Sequence, residues 1–280
     1  MKDLKYFGRS DRGSKRELNE DSFLCFDLPA AGASPSIGAA LLAVADGIGG
    51  HAGGAVASGL ATGALQAFFT LRLEGRSGGP SWPALLGEAF QTANDKILER
   101  IGQDQNLIGM GTTMVAAVVA GGRAFLANVG DSRAYLLRRK DIIQLTRDHS
   151  WVAEQRRLNF MSEDEVNHSP FRHMITRSLG SELQPRVDFF EQDLEAGDFL
   201  LLCSDGLYAA MSDKEILAFI KKNGNPAHIC RKLLRTADKA GSRDNITAVV
   251  ARVDATASVT ARPPSTEVKP GNPPSSGGDR

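Results

Sequence analysis

The chain has 280 residues, 42% of them hydrophobic, and its 33 Lys and Arg are matched by 33 Asp and Glu. That length supports one sizeable core, or at most two small ones, and a balance this even excludes bulk electrostatic attachment to nucleic acid or to an anionic membrane. The longest wholly apolar stretches, 39–45 and 114–120, have seven residues each, against roughly 20 for a bilayer crossing.

In chain order, residues 1–13 alternate charge with single apolar side chains and contain no apolar signal-peptide core, so export is not expected. The charged run Arg16-Glu17-Leu18-Asn19-Glu20-Asp21 leads into a strand at 23–26. Alone it reads as a solvated turn, yet Arg16 offers a planar fork suited to phosphate, and Glu20 and Asp21 offer carboxylates suited to metal-bound water. A second strand, 41–45, ends at Asp46 and opens into Gly47-Ile48-Gly49-Gly50-His51-Ala52-Gly53-Gly54. The glycine spacing imitates a dinucleotide fingerprint, but a carboxylate before the first glycine would face the pyrophosphate, and no βαβ series follows.

Helices are expected at 55–71 and 82–101, the second with Leu86, Phe90, Ala93, Ile97 and Ile101 every three or four residues. Strands at 113–119, 124–129 and 134–137 follow in hairpin-like succession, too close for parallel crossovers. Two capping boxes, Ser162 with Glu165 and Ser212 with Glu215, mark helix starts. Further strands are expected at 199–203 and 247–253. Residues 255–280 hold five of the twelve prolines and no aromatic residue, the composition of a disordered tail, so the folded domain is expected to span 1–254. The pattern gives an α+β domain of antiparallel sheets with helices packed outside. Cys25, Cys203 and Cys230 are odd in number and widely spaced, and are expected to be reduced core residues of a cytoplasmic protein.

The informative residues are aspartates at strand ends. Asp46, Asp131 and Asp205 each follow an apolar strand, and Asp244 precedes one. One Asp at a turn is ordinary turn chemistry; four in one core imply carboxylates gathered at a sheet edge, where protonation or bound cations must relieve their repulsion. Oxygen-only ligands select magnesium or manganese over zinc, and a pair of such ions suits hydrolysis of a phosphate ester.

The order of motifs resembles the metal-dependent protein phosphatases of the type 2C family, particularly the compact bacterial members. The similarity runs through Ser10-Asp11-x-Gly13, Arg16-x-x-Asn19-Glu20-Asp21, Ala45-Asp46-Gly47-x-Gly49-Gly50-His51 and Gly111-Thr112-Thr113. It continues through Asn128-Val129-Gly130-Asp131-Ser132-Arg133, Leu145-Thr146-Arg147-Asp148-His149-Ser150 and Thr176-Arg177-Ser178-Leu179-Gly180. It closes with Cys203-Ser204-Asp205-Gly206-Leu207 and Gly241-Ser242-Arg243-Asp244-Asn245-Ile246-Thr247, covering about residues 5–253.

The resemblance implies a central antiparallel β-sandwich flanked by helix pairs, in α-β-β-α order. It also implies a protein serine/threonine phosphatase using two manganese or magnesium ions, with a third, weaker ion beside them. Asp46 would bridge the two metals, the Gly47 carbonyl would bind one, and Asp205 and Asp244 the other; Glu20 and Asp21 would hold metal-bound waters. Asp131, with Asp205, matches the third-ion position, and Arg16 would grip the substrate phosphate. A hydroxide bridging the metals would attack phosphorus directly. The implied partners are phosphoserine and phosphothreonine proteins and an opposing Ser/Thr kinase; the chain is expected to be a monomer without nucleic-acid or membrane partners. Ile48 stands where many eukaryotic members have a histidine proposed as general acid, and His51 lies three residues on, so that role is unassigned. Residues 151–170 fit the family's mobile flap; Asn128 and Asn245 are expected to brace turns, and His149 and His173 to be structural or exposed. If the six acidic side chains share one pocket, the rest of the domain carries an excess of Lys and Arg.

Overall fold

A computed structural model describes residues 2–28, 39–49, 53–74, 81–162, 165, 169–171 and 173–255. The tail after 255 and His51 lie outside the described residues.

Among the described residues, eleven strands form two antiparallel sheets. The first contains β1 (Lys2–Asp11), β7 (Arg133–Arg138), β8 (Asp141–Gln144), β10 (Phe199–Cys203) and β11 (Ile246–Ala255), in the order β1-β11-β10-β7-β8. The second contains β2 (Asp21–Leu28), β3 (Ala39–Ile48), β5 (Met114–Ala120), β6 (Arg123–Val129) and β9 (Asp188–Asp193) in chain order, with the short β4 (Gly111–Thr112) paired to β3. The described helices are α1 (Gly53–Leu73), α2 (Trp82–Gln103), α3 (Trp151–Arg157), the single turn α4 (Asp205–Tyr208), α5 (Asp213–Asn223) and α6 (Pro226–Lys239).

Three apolar layers bind these elements into the expected four-layer sandwich. Between the sheets, Leu42, Val44, Val115, Ala117 and Leu126 meet Ala134, Leu136, Leu200, Leu202 and Val249. Outside the second sheet, Leu41, Ala43, Ala116 and Val118 pack against Ala57, Ala61, Leu65 and Phe69 of α1 and Leu86, Phe90 and Ile97 of α2. Outside the first, Leu201, Val250 and Tyr135 pack against Ile216 and Ile220 of α5 and Ile229, Leu233 and Leu234 of α6. Central strands therefore read as unbroken apolar runs, because both their faces are covered. Length and apolar composition alone would let α1 cross a membrane; here one side of it is the wall of the core.

The helix signals have local causes. Ser212 accepts from the Glu215 amide while Glu215 accepts from the Ser212 amide, closing the expected capping box on α5. Ser162 and Glu165 make the same reciprocal bonds; most of the turn they would start lies outside the described residues. Sequence reasoning passed over α6, although Asn225 caps it, Pro226 opens it, and Ile229, Cys230, Leu233, Leu234 and Ala237 form its buried face. It also passed over β1, which pairs with β11 through ten residues. Its Lys5 and Arg9 are the charges expected on an edge strand, and the alternation of charge with apolar residues over 1–13 is that of a half-buried strand.

Candidate metal centre

The strand ends converge at one end of the sandwich, between the two sheets. Asp21 and Asp46 are directly opposed across the β2–β3 ladder, so both side chains leave the sheet on one face about 5 Å apart at the backbone. Like charges so placed destabilise a sheet, and they need a third party between them. From the other sheet, Asp205 follows β10 and Asp244 precedes β11. Asp131 stands in the turn between β6 and β7, only 7% exposed.

The backbone around Asp46 is clamped. Its amide donates to the Thr113 hydroxyl at 3.1 Å, and its carbonyl accepts from the Thr112 hydroxyl at 2.8 Å and the Thr113 amide at 2.9 Å. The next position must be glycine: a Cβ on Gly47 would stand 2.2 Å from the Gly54 carbonyl oxygen and 2.5 Å from that of Glu20. The Gly47 amide donates to the Glu20 carbonyl at 3.2 Å, and the Ser58 hydroxyl to the same oxygen at 2.6 Å. These bonds tie Glu20, the loop after β3 and α1 into one frame.

Asparagine 245 performs the same service for the Arg16 loop. Its side-chain oxygen accepts the Glu20 amide at 2.8 Å, and its nitrogen donates to the carbonyls of Arg12 and Leu18 at 3.0 and 2.8 Å. Asn128 bridges the Gly130 and Arg147 carbonyls at 3.1 and 3.0 Å.

The electrostatics match a site built for cations. Burial, then the charges of Asp21, Asp205, Asp131 and Asp244, hold the Asp46 carboxyl far above the ordinary range. Burial pushes Asp21 up to about 7 despite hydrogen bonds from Thr247 and Ser204, at 2.6 and 2.7 Å. Asp131 is pushed up to about 7 by burial and Asp205, and Asp205 to about 6 by burial and Asp244. Burial also raises Glu20. Two carboxylate oxygens, Asp21 Oδ1 and Asp205 Oδ1, are buried without a hydrogen-bond partner. Buried acceptors left open cost about 1–3 kcal/mol each, and a hard cation satisfies them. The all-oxygen donor set therefore fits magnesium or manganese. Among the described residues no three acidic, His or Cys side chains close on one point; an open set completes its shell with water or a substrate oxygen.

Arg16 reaches the cluster by its Asp244 bond, at 2.6 Å, and is 48% exposed. Its fork is thus at the lip, with a face left for an anion. Around Asp131 the structure adds groups that the sequence reading gave no role. Arg133 grips Asp148 through bonds of 2.6 to 3.0 Å and stacks 3.7 Å from the Tyr208 ring, whose hydroxyl donates to the Asp131 carbonyl at 3.1 Å. Ser204 and Thr247, which hold Asp21, were also missed as site residues; the signal was their place beside Asp205 and after Asp244. His173, expected to be structural or exposed, is 64% exposed and brings Nδ1 within 4.0 Å of Asp205. His149 is buried: Nδ1 accepts the Gly130 amide, and Nε2 faces Asp188, which also binds Arg177.

Comparison with known proteins adds independent findings. A family model described as protein phosphatase 2C matches residues 5–246. The Mycobacterium tuberculosis serine/threonine protein phosphatase PstP is 38% identical over 251 residues, which are 89% of this chain and 45% of that protein. The chain thus spans less than half of that relative. The Listeria monocytogenes serine/threonine phosphatase stp is 34% identical over 250 residues, 89% of this chain and 95% of that one. Among solved structures, the S. agalactiae serine/threonine phosphatase superposes with a TM-score of 0.81 at 30% identity, covering 90% of this chain and 100% of that one. The PstP catalytic domain in complex with two manganese ions gives 0.76 at 36% identity, covering 91% and 100%.

Proposed function

Because the chain belongs to the protein phosphatase 2C family, we propose that it is a metal-dependent protein serine/threonine phosphatase, hydrolysing phosphoserine and phosphothreonine in proteins. The observation that carries the reading is the desolvated cluster of Asp21, Asp46, Asp131 and Asp205, with two buried carboxylate oxygens left open. Its donors suit two manganese or magnesium ions, which when bound supply Lewis acidity and an activated water for direct attack on phosphorus.

The chain's own residues do the rest. Asp46 and the Gly47 carbonyl on one side, and Asp205 and Asp244 on the other, would hold the ions; Glu20 and Asp21 would orient water on them. Asp131 with Asp205 would hold a third, weaker ion. Asp21 receives two hydroxyl hydrogen bonds, which fix its direction and favour its ionised form. Arg16 would bind the phosphate with the Nη1 end of its fork, since Nε donates to the Arg243 carbonyl and Nη2 to Asp244, orienting the substrate. We place the enzyme in the cytoplasm as a monomer, opposing a Ser/Thr kinase, with no nucleic-acid or membrane partner.

The test is phosphate release from matched phosphothreonine, phosphoserine and phosphotyrosine peptides and from nucleotides, with manganese and with a chelator. Release confined to the first two and dependent on manganese supports the reading; preference for nucleotides, or equal rates in chelator, refutes it.

A further inference from the structure

Beside the start of the Arg16 loop, between β1 and α6, lies a groove of about 430 Å³. Its α6 wall carries Arg231, Lys232 and Arg235, and its β1 wall carries Arg9. On a helix, Arg231, Arg235 and Asp238 fall on one face, so the basic residues form a strip along the groove. The two acidic residues at its end are already engaged: Asp11 accepts the Gly13 amide at 3.1 Å and lies 3.9 Å from Arg9, and Asp238 accepts the Ser14 amide at 2.8 Å. Lys232 and Arg235 are exposed, and among the described residues neither side chain makes an ion pair or hydrogen bond. Arg231 lies over the Phe7 ring, at 5.7 Å.

The groove runs into the catalytic lip. A Cβ at Gly13 would stand 3.9 Å from the Asp238 carboxylate and 2.7 Å from the Asp244 carbonyl. One turn of chain therefore separates the end of the basic strip from the Arg16–Asp244 pair. From Arg231 to Asp238 the helix advances about 10 Å, the length of three extended residues at about 3.3 Å each.

We propose that this groove is a docking site for an acidic segment of the phosphoprotein substrate, a few residues from the phosphorylated side chain. The assignment rests on the phosphatase reading. Charge complementarity selects the occupant: unpartnered cations beside a site that must turn over anionic substrate attract carboxylates and additional phosphates alike. The chain's own residues 256–280 do not complement it, since Arg262, Lys269 and Arg280 outnumber Glu267 and Asp279. Rim cations of this kind act on KM and on salt dependence more than on the chemical step.

The experiment compares two phosphothreonine peptides that differ only in acidic or neutral flanks, on the native chain and on Lys232→Glu/Arg235→Glu. Hydrolysis of p-nitrophenyl phosphate, too small to reach the groove, checks that the variant is folded and active; Lys232→Ala/Arg235→Ala serves if the reversal fails to fold. In parallel, anisotropy measures binding of an unphosphorylated acidic peptide to the metal-free chain, which needs no catalysis. The native enzyme is expected to favour the acidic peptide roughly tenfold in kcat/KM, through KM, with the gap closing at high salt. The variant loses that preference and the anisotropy signal, and keeps p-nitrophenyl phosphate hydrolysis within about twofold. Equal rates for the two peptides on the native enzyme, or an unchanged preference in the variant, overturn the proposal, as does tight binding of a single-stranded oligonucleotide in place of the acidic peptide. Acidic-peptide binding with no hydrolysis of either phosphopeptide supports the groove as an acidic-peptide site and refutes the phosphatase reading, so the two failures are distinguishable.

Discussion

Replacing Asp131 with Asn removes one charge from the cluster while keeping its shape. In the metal-free chain Asp131 sits almost fully buried, with Asp205 as its main repulsive neighbour, and titrates near 7 instead of 3.8. A folded-state value above the unfolded one means that the group costs nothing below about pH 4 and that its cost grows until pH passes about 7. Three units at about 1.4 kcal/mol each set an upper bound of roughly 4 kcal/mol. Because repulsion by Asp205 is shared between the two groups, about 2–4 kcal/mol is the working figure. At roughly 2–4 °C per kcal/mol for a chain of this size, Asp131→Asn should melt on the order of 5–15 °C higher than the native chain at pH 8 in chelator, and only about 2–4 °C higher at pH 4.5, where the cost is about 1 kcal/mol. His149, held below its usual value by burial, has the opposite slope but is common to both proteins and cancels in the difference. Thermal melts of the pair from pH 4.5 to 8, with and without manganese, make the measurement; saturating manganese should close the gap. A gap that is constant across pH, or that narrows as pH rises, would refute the argument that desolvation and repulsion strain the empty cluster.

Arg16→Ala should raise KM for a phosphopeptide without weakening manganese binding, since its bond to Asp244 competes with the ion rather than holding it; calorimetry showing collapse of metal binding would contradict the role. Thr247→Val removes a 2.6 Å donor to Asp21, pushing its carboxyl higher still, so manganese affinity should fall more at pH 6 than at pH 8; an equal loss at both would show a structural effect only. Gly47→Ala places a methyl against two backbone carbonyls and should abolish activity, with a fall in melting temperature of several degrees; near-native activity and stability would show that the loop yields.

Strand-end aspartates were legible because an apolar run ending in Asp and Gly is a local signal: Asp46, Asp131 and Asp205 needed no knowledge of strand order. What the sequence left dark was pairing. That Asp21 lies directly across from Asp46 depends on the register of β2 against β3, which no local feature states. The groups that hold Asp21, Ser204 and Thr247, come from the other sheet, more than 180 residues away. Edge strands were missed for a related reason: β1 and β9 carry charge on their outward positions, so Arg9 and Glu191 look like loop residues until their partners are known. Arg133 and Asp148 were visible only as motif members; their clamp beneath Asp131 appears once β7 and the segment after β8 lie together. The basic strip on α6 went unread because its helix went unread.

Whether this carboxylate cluster holds divalent ions is decided by calorimetric titration of manganese into the metal-free chain at pH 7. Asp21 and Asp131 titrate near that pH, so uptake must displace protons, and the heat should vary with the ionisation enthalpy of the buffer. Two or more ions should bind per chain with proton release, at least the two found with the PstP catalytic domain, and that uptake should be lost in Asp46→Asn. Manganese binding that is equal in the native chain and in Asp46→Asn, or that releases no protons, would contradict metal binding by this cluster.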